Sequence, residues 1–256
     1  MTPHTVGESA VPWTAPFSES AEFYDALYTA ERDYAAQATR VAALARTVRP
    51  GAATVLDVAC GTGLHLEQLR QHFICEGVDA SEAMLRIAQR RNPGLRFHLA
   101  DMRSFAIGRR YDVLICLFSS ITYAGDLPGL RRTLKTFAAH LVPGGVCLVE
   151  PFLPYEQWVD LPTGHLRTVD LPDLTVAMVD RARRRGRSVV REVAYAVATP
   201  NGVRQVLERH TFGLFSSDEY VDAFRGAGFE VTFDPEGFDP TRGLYVARLR
   251  PRGERE

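Results

Sequence analysis

The segment TVLDVACGTG at residues 54–63 limits what this chain can fold into more than any other. An apolar run ends in Asp57, opens at once into a glycine-bearing loop, and is followed by the amphipathic stretch Leu64 to Phe73. That order predicts a buried strand, a tight turn and a helix. Gly61 and Gly63 bracket Thr62, so the backbone turns sharply there and a ligand approaches where a Cβ would stand. A second acid, Asp79, ends the apolar piece Cys75 to Val78, 22 residues after Asp57. A neighbouring parallel strand places such a carboxylate on a ribose diol, so the pair points to a nucleoside cofactor.

Two departures narrow the nucleoside. Leu66 stands where a G-x-G-x-x-G pattern needs its third glycine, which argues against NAD or FAD, and no G-x-x-x-x-G-K-[ST] offers a triphosphate cradle. Further strand patterns follow in order: Phe97 to Ala100, ending at Asp101 and Met102, then Tyr111 to Phe118, then Leu141 to Val149 with its Pro-Gly-Gly turn. Helical stretches intervene at Ser81 to Arg91, with Ser81 as an N-cap, and at Leu127 to His140. Strands alternating with helices predict an α/β, doubly wound parallel sheet whose ligand crevice lies at the carboxyl ends of its strands, where Asp57, Asp79, Asp101 and Phe118 fall.

The V-L-D-x-A-C-G-T-G run and its ordered companions resemble the motifs of class I S-adenosylmethionine-dependent methyltransferases. The resemblance implies a seven-stranded, mostly parallel Rossmann-like sheet closed by a reversed hairpin. It implies that S-adenosyl-L-methionine is the cofactor, with Ala59, Cys60, Gly61 and Gly63 admitting its methionine part and Asp57 orienting the loop or meeting the amino group. Asp79, with Ala80 and Met84 beside it, would hold the ribose, and Asp101 with Met102 the adenine. Leu117 and Phe118 would pass under the sulfonium, with Tyr34 near the carboxylate.

The rest of the chain divides around this core. Residues 1–17 read as a polar, proline-containing tail, and residues 18–50 as an aromatic helical lid in which Phe23, Tyr24, Leu27, Tyr28 and Tyr34 recur near helical spacing. The core spans 51–152, an antiparallel β insert for acceptor binding or dimerisation 153–215, and a final helix with two strands 216–249. Within the insert, strands are predicted at Leu174 to Val179, Val189 to Ala198 and Arg204 to Leu214, with Pro200-Asn201-Gly202 as the turn. Arg181 to Arg187 holds five arginines around Gly186, which reads as a solvated hairpin tip, since no basic stripe accompanies it. A net charge of −1 gives no bulk drive toward nucleic acid, and no apolar run approaches the roughly 18 residues of a membrane span. Residues 1–16 lack the marks of a secretion signal, and Cys60, Cys75, Cys116 and Cys147 form no C-x-x-C pair. A cytoplasmic enzyme without a structural metal is the expectation.

Asp33-Tyr34-Ala35-Ala36, the loop with His65 and Glu67, Asp101-Met102-Arg103, Phe118-Ser119-Ser120, Val149-Glu150-Pro151 and Arg242-Gly243-Leu244 occur in an order similar to the N,N-dimethyltransferases of nucleotide-linked amino sugars, of the desosamine and mycaminose type. The chain departs from that pattern at Phe152-Leu153-Pro154 and over Thr168 to Arg187. The likeness implies a TDP-linked amino sugar as small-molecule substrate, and a homodimer is consistent with the insert. Tyr24, Ser119, Ser120 and Arg242 are the candidate acceptor contacts, Arg242 because a guanidinium pairs with pyrophosphate. Tyr28, Tyr123 and His165 are the candidates at the reacting amine, with His210 a further proton acceptor and His65 read as structural. An O-, C- or N-methyltransferase of another small metabolite, a non-catalytic S-adenosylmethionine-binding partner subunit and an RNA enzyme remain as alternatives.

Overall fold

The computed structural model describes residues 12–29, 32–160 and 163–251. Its larger sheet has seven strands in the order β10-β11-β5-β4-β1-β2-β3. These are β1 (Thr54–Val58), β2 (Ile74–Asp79), β3 (Arg96–Leu99), β4 (Tyr111–Cys116), β5 (Leu141–Val149), β10 (Phe229–Asp234) and β11 (Leu244–Leu249). Pairing is parallel from β3 through β5, and only β11 runs against its neighbours. The smaller sheet is antiparallel, β6-β7-β8-β9, built from His165–Leu171, Leu174–Arg185, Ser188–Thr199 and Gly202–Gly213.

Continuous apolar runs in β1 and β4 follow from burial on both faces. Successive side chains alternate: Leu56, Leu114 and Cys116 join Leu130, Leu134, Phe137 and Phe224 on one side, while Val55, Val113 and Ile115 join Val41, Ala42, Ala45 and Leu66 on the other. The first side is covered by α5 (Leu127–Ala139) and α6 (Ser217–Gly226), the second by α2 (Tyr34–Val48) and α3 (Leu64–Leu69). Ser81 caps α4 (Glu82–Arg91) by accepting from the Met84 N–H, and Asp126 caps α5 from the Gly129 N–H. Ser216 and Glu219 form a full capping box on α6, and Gly228 ends that segment at φ +92°.

Several expectations shift in detail. The aromatic region is two helices rather than one: α1 (Ala21–Tyr28) and α2, the second capped by Asp33; residues 30 and 31, counted with the lid, lie outside the described residues. The larger surprise is where α1 packs. Phe23 and Leu27 are buried against Val176, Met178, Val193, Tyr195 and Val206, so α1 is seated on the smaller sheet and hangs from it over the crevice. The helix after the glycine loop stops at Leu69, four residues short of Phe73. Strand β6 is not among the predicted strands because only Arg167 and Val169 in it are even half-buried, which leaves no alternation of apolar residues to read. The expected tail through 17 is engaged before it ends: the Thr14 N–H donates to the Leu207 carbonyl at 2.8 Å, and Ser81 Oγ donates to the Phe17 carbonyl at 2.9 Å. Residues 1–11 lie outside the described ones. At the arginine-rich tip, Arg184 and Arg187 lie over the Tyr155 ring and Arg187 pairs with Glu219, so two of the five arginines are tied to the protein.

Candidate active site

The crevice forms where β1, β2 and β4 end together. Ala59, Gly61 and Gly63 all take left-handed backbone after β1, at φ +59°, +55° and +77°. The two glycines do different things. A Cβ on Gly61 would meet nothing within 4 Å, so that position opens onto free space. A Cβ on Gly63 would lie 2.7 Å from Asn92 Nδ2 and 3.1 Å from the Ala88 Cβ. Gly63 is therefore required for helix α4 to pack against the loop.

Three connected hollows line this edge. The first, about 560 Å³, is walled by Ala59, Gly61, Asp79, Ala80, Met84, Asp101 and Met102, and closed above by Phe17 and Tyr24. A narrow neck of about 50 Å³ continues it between Tyr34, Asp57, Ala59, Cys60, Leu117 and Phe118. The second, about 540 Å³, is walled by Tyr28, Phe118, Ser119, His165 and Arg242, and shares Tyr24, Ser120 and Tyr123 with the first. An outer cleft of about 510 Å³ collects Arg32, Arg40 and Arg242 around Phe118 and Phe238. Every predicted site residue except Gly63 thus lines one connected hollow.

Asp79 accepts from the backbone N–H groups of Gly61 and Ser81, both at 2.8 Å. Burial raises its pKa, and those amides partly offset the rise. Asp57 is 2% exposed with Oδ2 lacking a hydrogen-bond partner among the described residues, and burial followed by the charge of Asp79 pushes its carboxyl well up. A buried acceptor without a donor is costly, so this atom is suited to a ligand N–H. Asp101 is held low by its hydrogen bonds from Arg103. His65 is buried against Gln37 and beneath the Tyr34 ring, and burial with the nearby Arg32 charge lowers its pKa to about 3. It is a neutral structural residue.

After β4, Phe118 and Ser119 take left-handed backbone in succession, at φ +54° and +59°. Each costs roughly 1–2 kcal/mol, and the surroundings must enforce it. Glu150, wholly buried, does so by accepting the Phe118 N–H at 2.6 Å, while Ser119 Oγ donates to the Pro151 carbonyl at 2.7 Å. Arg32 closes the arrangement with a two-pronged contact to Glu150 at 3.2 and 3.1 Å and a guanidinium 4.0 Å above the Phe118 ring. Asp25 ties α1 down from the other side, accepting from Thr62 Oγ1 and Arg91, each at 2.6 Å. Sequence reasoning missed Phe17, Asp25 and Arg32, because their partners lie 37 to 118 residues away in the chain.

The remaining candidates are distributed as follows. Tyr24 stacks at 4.7 Å on Tyr28, whose hydroxyl reaches Met178 Sδ at 3.8 Å and whose ring meets Phe118 edge-on. Burial, then Tyr28, raises the Tyr24 pKa, so its phenol stays protonated. Arg242 donates to Ser119 Oγ at 3.2 Å and pairs with Asp239. His165 stands at the rim on edge strand β6, 3.7 Å from Asp180, with its side chain 64% exposed. It lines the second hollow at its mouth. The four cysteines are free and buried, and no metal-holding cluster occurs among the described residues.

A parallel sheet with this strand order, a glycine turn after the first strand and carboxylates at the next two strand ends define the class I methyltransferase architecture. A family model described as a methyltransferase domain matches residues 55–145. The chain is 40% identical to the dTDP-3-amino-3,6-dideoxy-alpha-D-glucopyranose N,N-dimethyltransferase of Streptomyces fradiae, over 92% of this chain and 93% of that one. It superposes on the crystal structure of Streptomyces venezuelae DesVI with a TM-score of 0.83 at 38% identity, over 91% and 98% of the two chains. CalS10 of Micromonospora echinaspora, an amino pentose methyltransferase solved with S-adenosylmethionine, superposes with a TM-score of 0.78 at 36% identity, over 88% and 96%. The chain belongs to the family of sugar N,N-dimethyltransferases that these relatives represent. It is an S-adenosylmethionine-dependent methyltransferase.

Proposed function

We propose that the protein N,N-dimethylates the amino group of a TDP-linked deoxyamino sugar in the biosynthesis of an antibiotic. The observation that carries this reading is similarity over nine-tenths of the chain, β insert included, to an enzyme with that activity. The crevice supports it. The first hollow and its neck suit the methyl donor: Asp79 for the ribose hydroxyls, Asp101 and Met102 for adenine, Ala80 and Met84 packing alongside, and the open side of Gly61 with Ala59 and Cys60 for the methionine part. The orphaned Asp57 Oδ2 suits its ammonium group, with Leu117 and Phe118 under the sulfonium and Tyr34 near the carboxylate. The second hollow suits the sugar, with Tyr24, Tyr28, Ser119, Ser120 and Tyr123 around the amine and Arg242 toward the pyrophosphate.

When bound, the donor supplies a methyl carbon open to in-line displacement by an amine lone pair. The residues of this chain align the two molecules, and alignment alone is worth on the order of 7–11 kcal/mol in favourable cases. Phe118 is the partition between the two hollows, and the Arg32 and Glu150 pair fixes it. Four buried free thiols are in keeping with a reducing, cytoplasmic setting, and the insert sheet with a homodimer. Among the described residues no helix is long and apolar enough to cross a membrane. The test is mass spectrometry of TDP-3-amino and TDP-4-amino deoxysugars incubated with the enzyme and donor. Gains of one and then two methyl groups are expected; no gain with any amino sugar overturns the reading.

A further inference from the structure

Behind the wall shared by the two hollows lies a buried file of polar side chains that the reading above leaves without a task. The Tyr123 hydroxyl is 2.7 Å from His210 Nδ1, and His210 Nε2 is 3.4 Å from Glu208 Oε2. His210 is 1% exposed and Glu208 wholly buried. The other end is fixed by Ser20, whose N–H and hydroxyl donate to the two Glu208 oxygens at 3.1 and 2.8 Å. Phe17 sits edge-on to both His210 and Tyr123 and shields them from water.

The chemistry of the file assigns its protons. Glu208 has no proton to give: burial pushes its carboxyl up, but the His210 ring beside it and the two hydrogen bonds from Ser20 more than offset this and leave it below the usual range; the 3.4 Å approach of His210 Nε2 is a close contact that falls short of a hydrogen bond. Nε2 therefore carries the imidazole proton toward Glu208, and Nδ1 accepts from the tyrosine hydroxyl. Burial, more than any neighbouring charge, raises the Tyr123 pKa, so the phenol is intact at neutral pH. Tyr123 lines both hollows and His210 lines neither, so the tyrosine is the member of the file that meets the crevice.

We infer that Tyr123, His210 and Glu208 form a relay that takes a proton from the substrate ammonium, with Tyr123 as the catalytic residue touching the amine and His210 and Glu208 as positioning residues behind it. This rests on the amine reading of the site. An amino sugar enters largely as ammonium at neutral pH and has no lone pair until one N–H bond breaks. In the relay that proton passes to Tyr123 Oη, the phenol proton passes to His210 Nδ1, and the N–H bonding pair stays on nitrogen as the attacking pair. The result is an imidazolium held against the Glu208 carboxylate: the positive charge lost by the amine is taken up by the file, which goes from a net −1 to neutral. The proton returns by the same hydroxyl when the crevice opens to water. The monomethylated product needs the same service before its second transfer.

The charged and titratable groups facing the file are Arg191 opposite His210 on β8, its partner Asp180 on β7, Tyr195 on β8, Tyr24 and Tyr28 on α1, and Asp79 across the first hollow. None of them replaces His210 as the acceptor: Arg191 is cationic and bound to Asp180, and burial raises the Tyr24 and Tyr195 pKa values.

The test is the pH profile of kcat, at saturating donor and amino sugar, for the unaltered enzyme, Tyr123→Phe and His210→Asn. Tyr123→Phe keeps the ring contacts with Phe17 and Phe212, and so covers the case in which His210→Asn fails to fold. Without the relay, kcat should fall about tenfold per pH unit below the pKa of the substrate amine and come within about threefold of the unaltered enzyme near pH 9.5. The unaltered enzyme should hold its rate down to near neutrality. Calorimetric binding of S-adenosylhomocysteine to Tyr123→Phe, unchanged within about threefold, separates this from loss of the donor site. Parallel profiles in enzyme and variants overturn the relay alone. Absence of transfer by the unaltered enzyme to any amino sugar overturns the amine reading and the relay with it.

Discussion

The two loop glycines make opposite predictions when each is given a single methyl group. In Gly61→Ala the new Cβ enters open space, so the cost to the protein alone is that of left-handed backbone, roughly 1–2 kcal/mol. In Gly63→Ala the same conformational cost is joined by a collision with Asn92 Nδ2 at 2.7 Å. Asn92 cannot swing aside cheaply, because it is fully buried and donates to the carbonyls of Gly63 and Ala88 at 3.0 and 3.3 Å. Overpacking of that kind adds about 1–3 kcal/mol, for a total of about 2–5. At 2–4 °C per kcal/mol for a chain of this size, Gly61→Ala should lower Tm by about 2–8 °C and Gly63→Ala by up to about 20 °C. Binding should order the other way. The Gly61 methyl stands where the methionine part of the donor is placed, so Gly61→Ala should weaken S-adenosylhomocysteine by tenfold or more in calorimetry, while whatever Gly63→Ala remains folded should bind within a few-fold of normal. Equal Tm losses, or undiminished binding by Gly61→Ala, would refute the division of labour.

Arg32→Met should destabilise the protein by about 3 kcal/mol in urea titration, since it strands a buried Glu150, and Arg32→Met with Glu150→Gln should recover much of that loss. His65, neutral when folded with a pKa near 3, takes a proton on unfolding below its ordinary 6.5. Stability is thus intact above pH 6.5 and falls as pH drops toward 3, by about 2 kcal/mol at pH 5, and denaturant titrations should show His65→Gln free of that portion. Raising salt from about 50 to 500 mM should raise KM for the nucleotide sugar several-fold, because Arg40 and Arg242 are partly exposed, yet leave donor affinity nearly unchanged, because Asp57 and Asp79 are buried. Equal salt sensitivity of the two ligands would contradict the placement of the phosphates.

What could be read from the sequence is what the parallel sheet imposes. Asp57, Asp79 and Asp101 were legible because each follows an apolar run, and parallel strands bring such ends to one edge. The packing demand on Gly63 was not legible because spacing reports that a glycine is needed but not which neighbour demands it, and Asn92 lies 29 residues on. Arg32 carries no local signal, since its role is set by Glu150, 118 residues away just past the end of β5. Phe17 was hidden in a polar, proline-containing lead, and its contacts with Ser81, Tyr123 and His210 fall on distant elements. Helix α1 shows an apolar face at the right spacing, but that spacing is equally satisfied by either sheet. Only the structure shows that it rests on the insert.

That last placement joins two features with no other connection. Because α1 is anchored on the smaller sheet and pinned to the glycine loop through Asp25, the insert that walls the sugar hollow and the loop that borders the donor hollow share a rigid strut. Ser20 just before α1 also holds Glu208, and Arg32 just after it holds Glu150. The strut therefore ends, on one side, at the file behind Tyr123 and, on the other, at the partition residue Phe118. The arginines of the outer mouth are each already held by a carboxylate, Arg32 by Glu150, Arg40 by Asp234 and Arg242 by Asp239, and at the donor end Asp101 is held by Arg103. With a net charge of only −1 and its local charges paired in this way, the chain has no strong field to steer the two substrates, so the walls fixed by the strut are what leave the amine facing the methyl group.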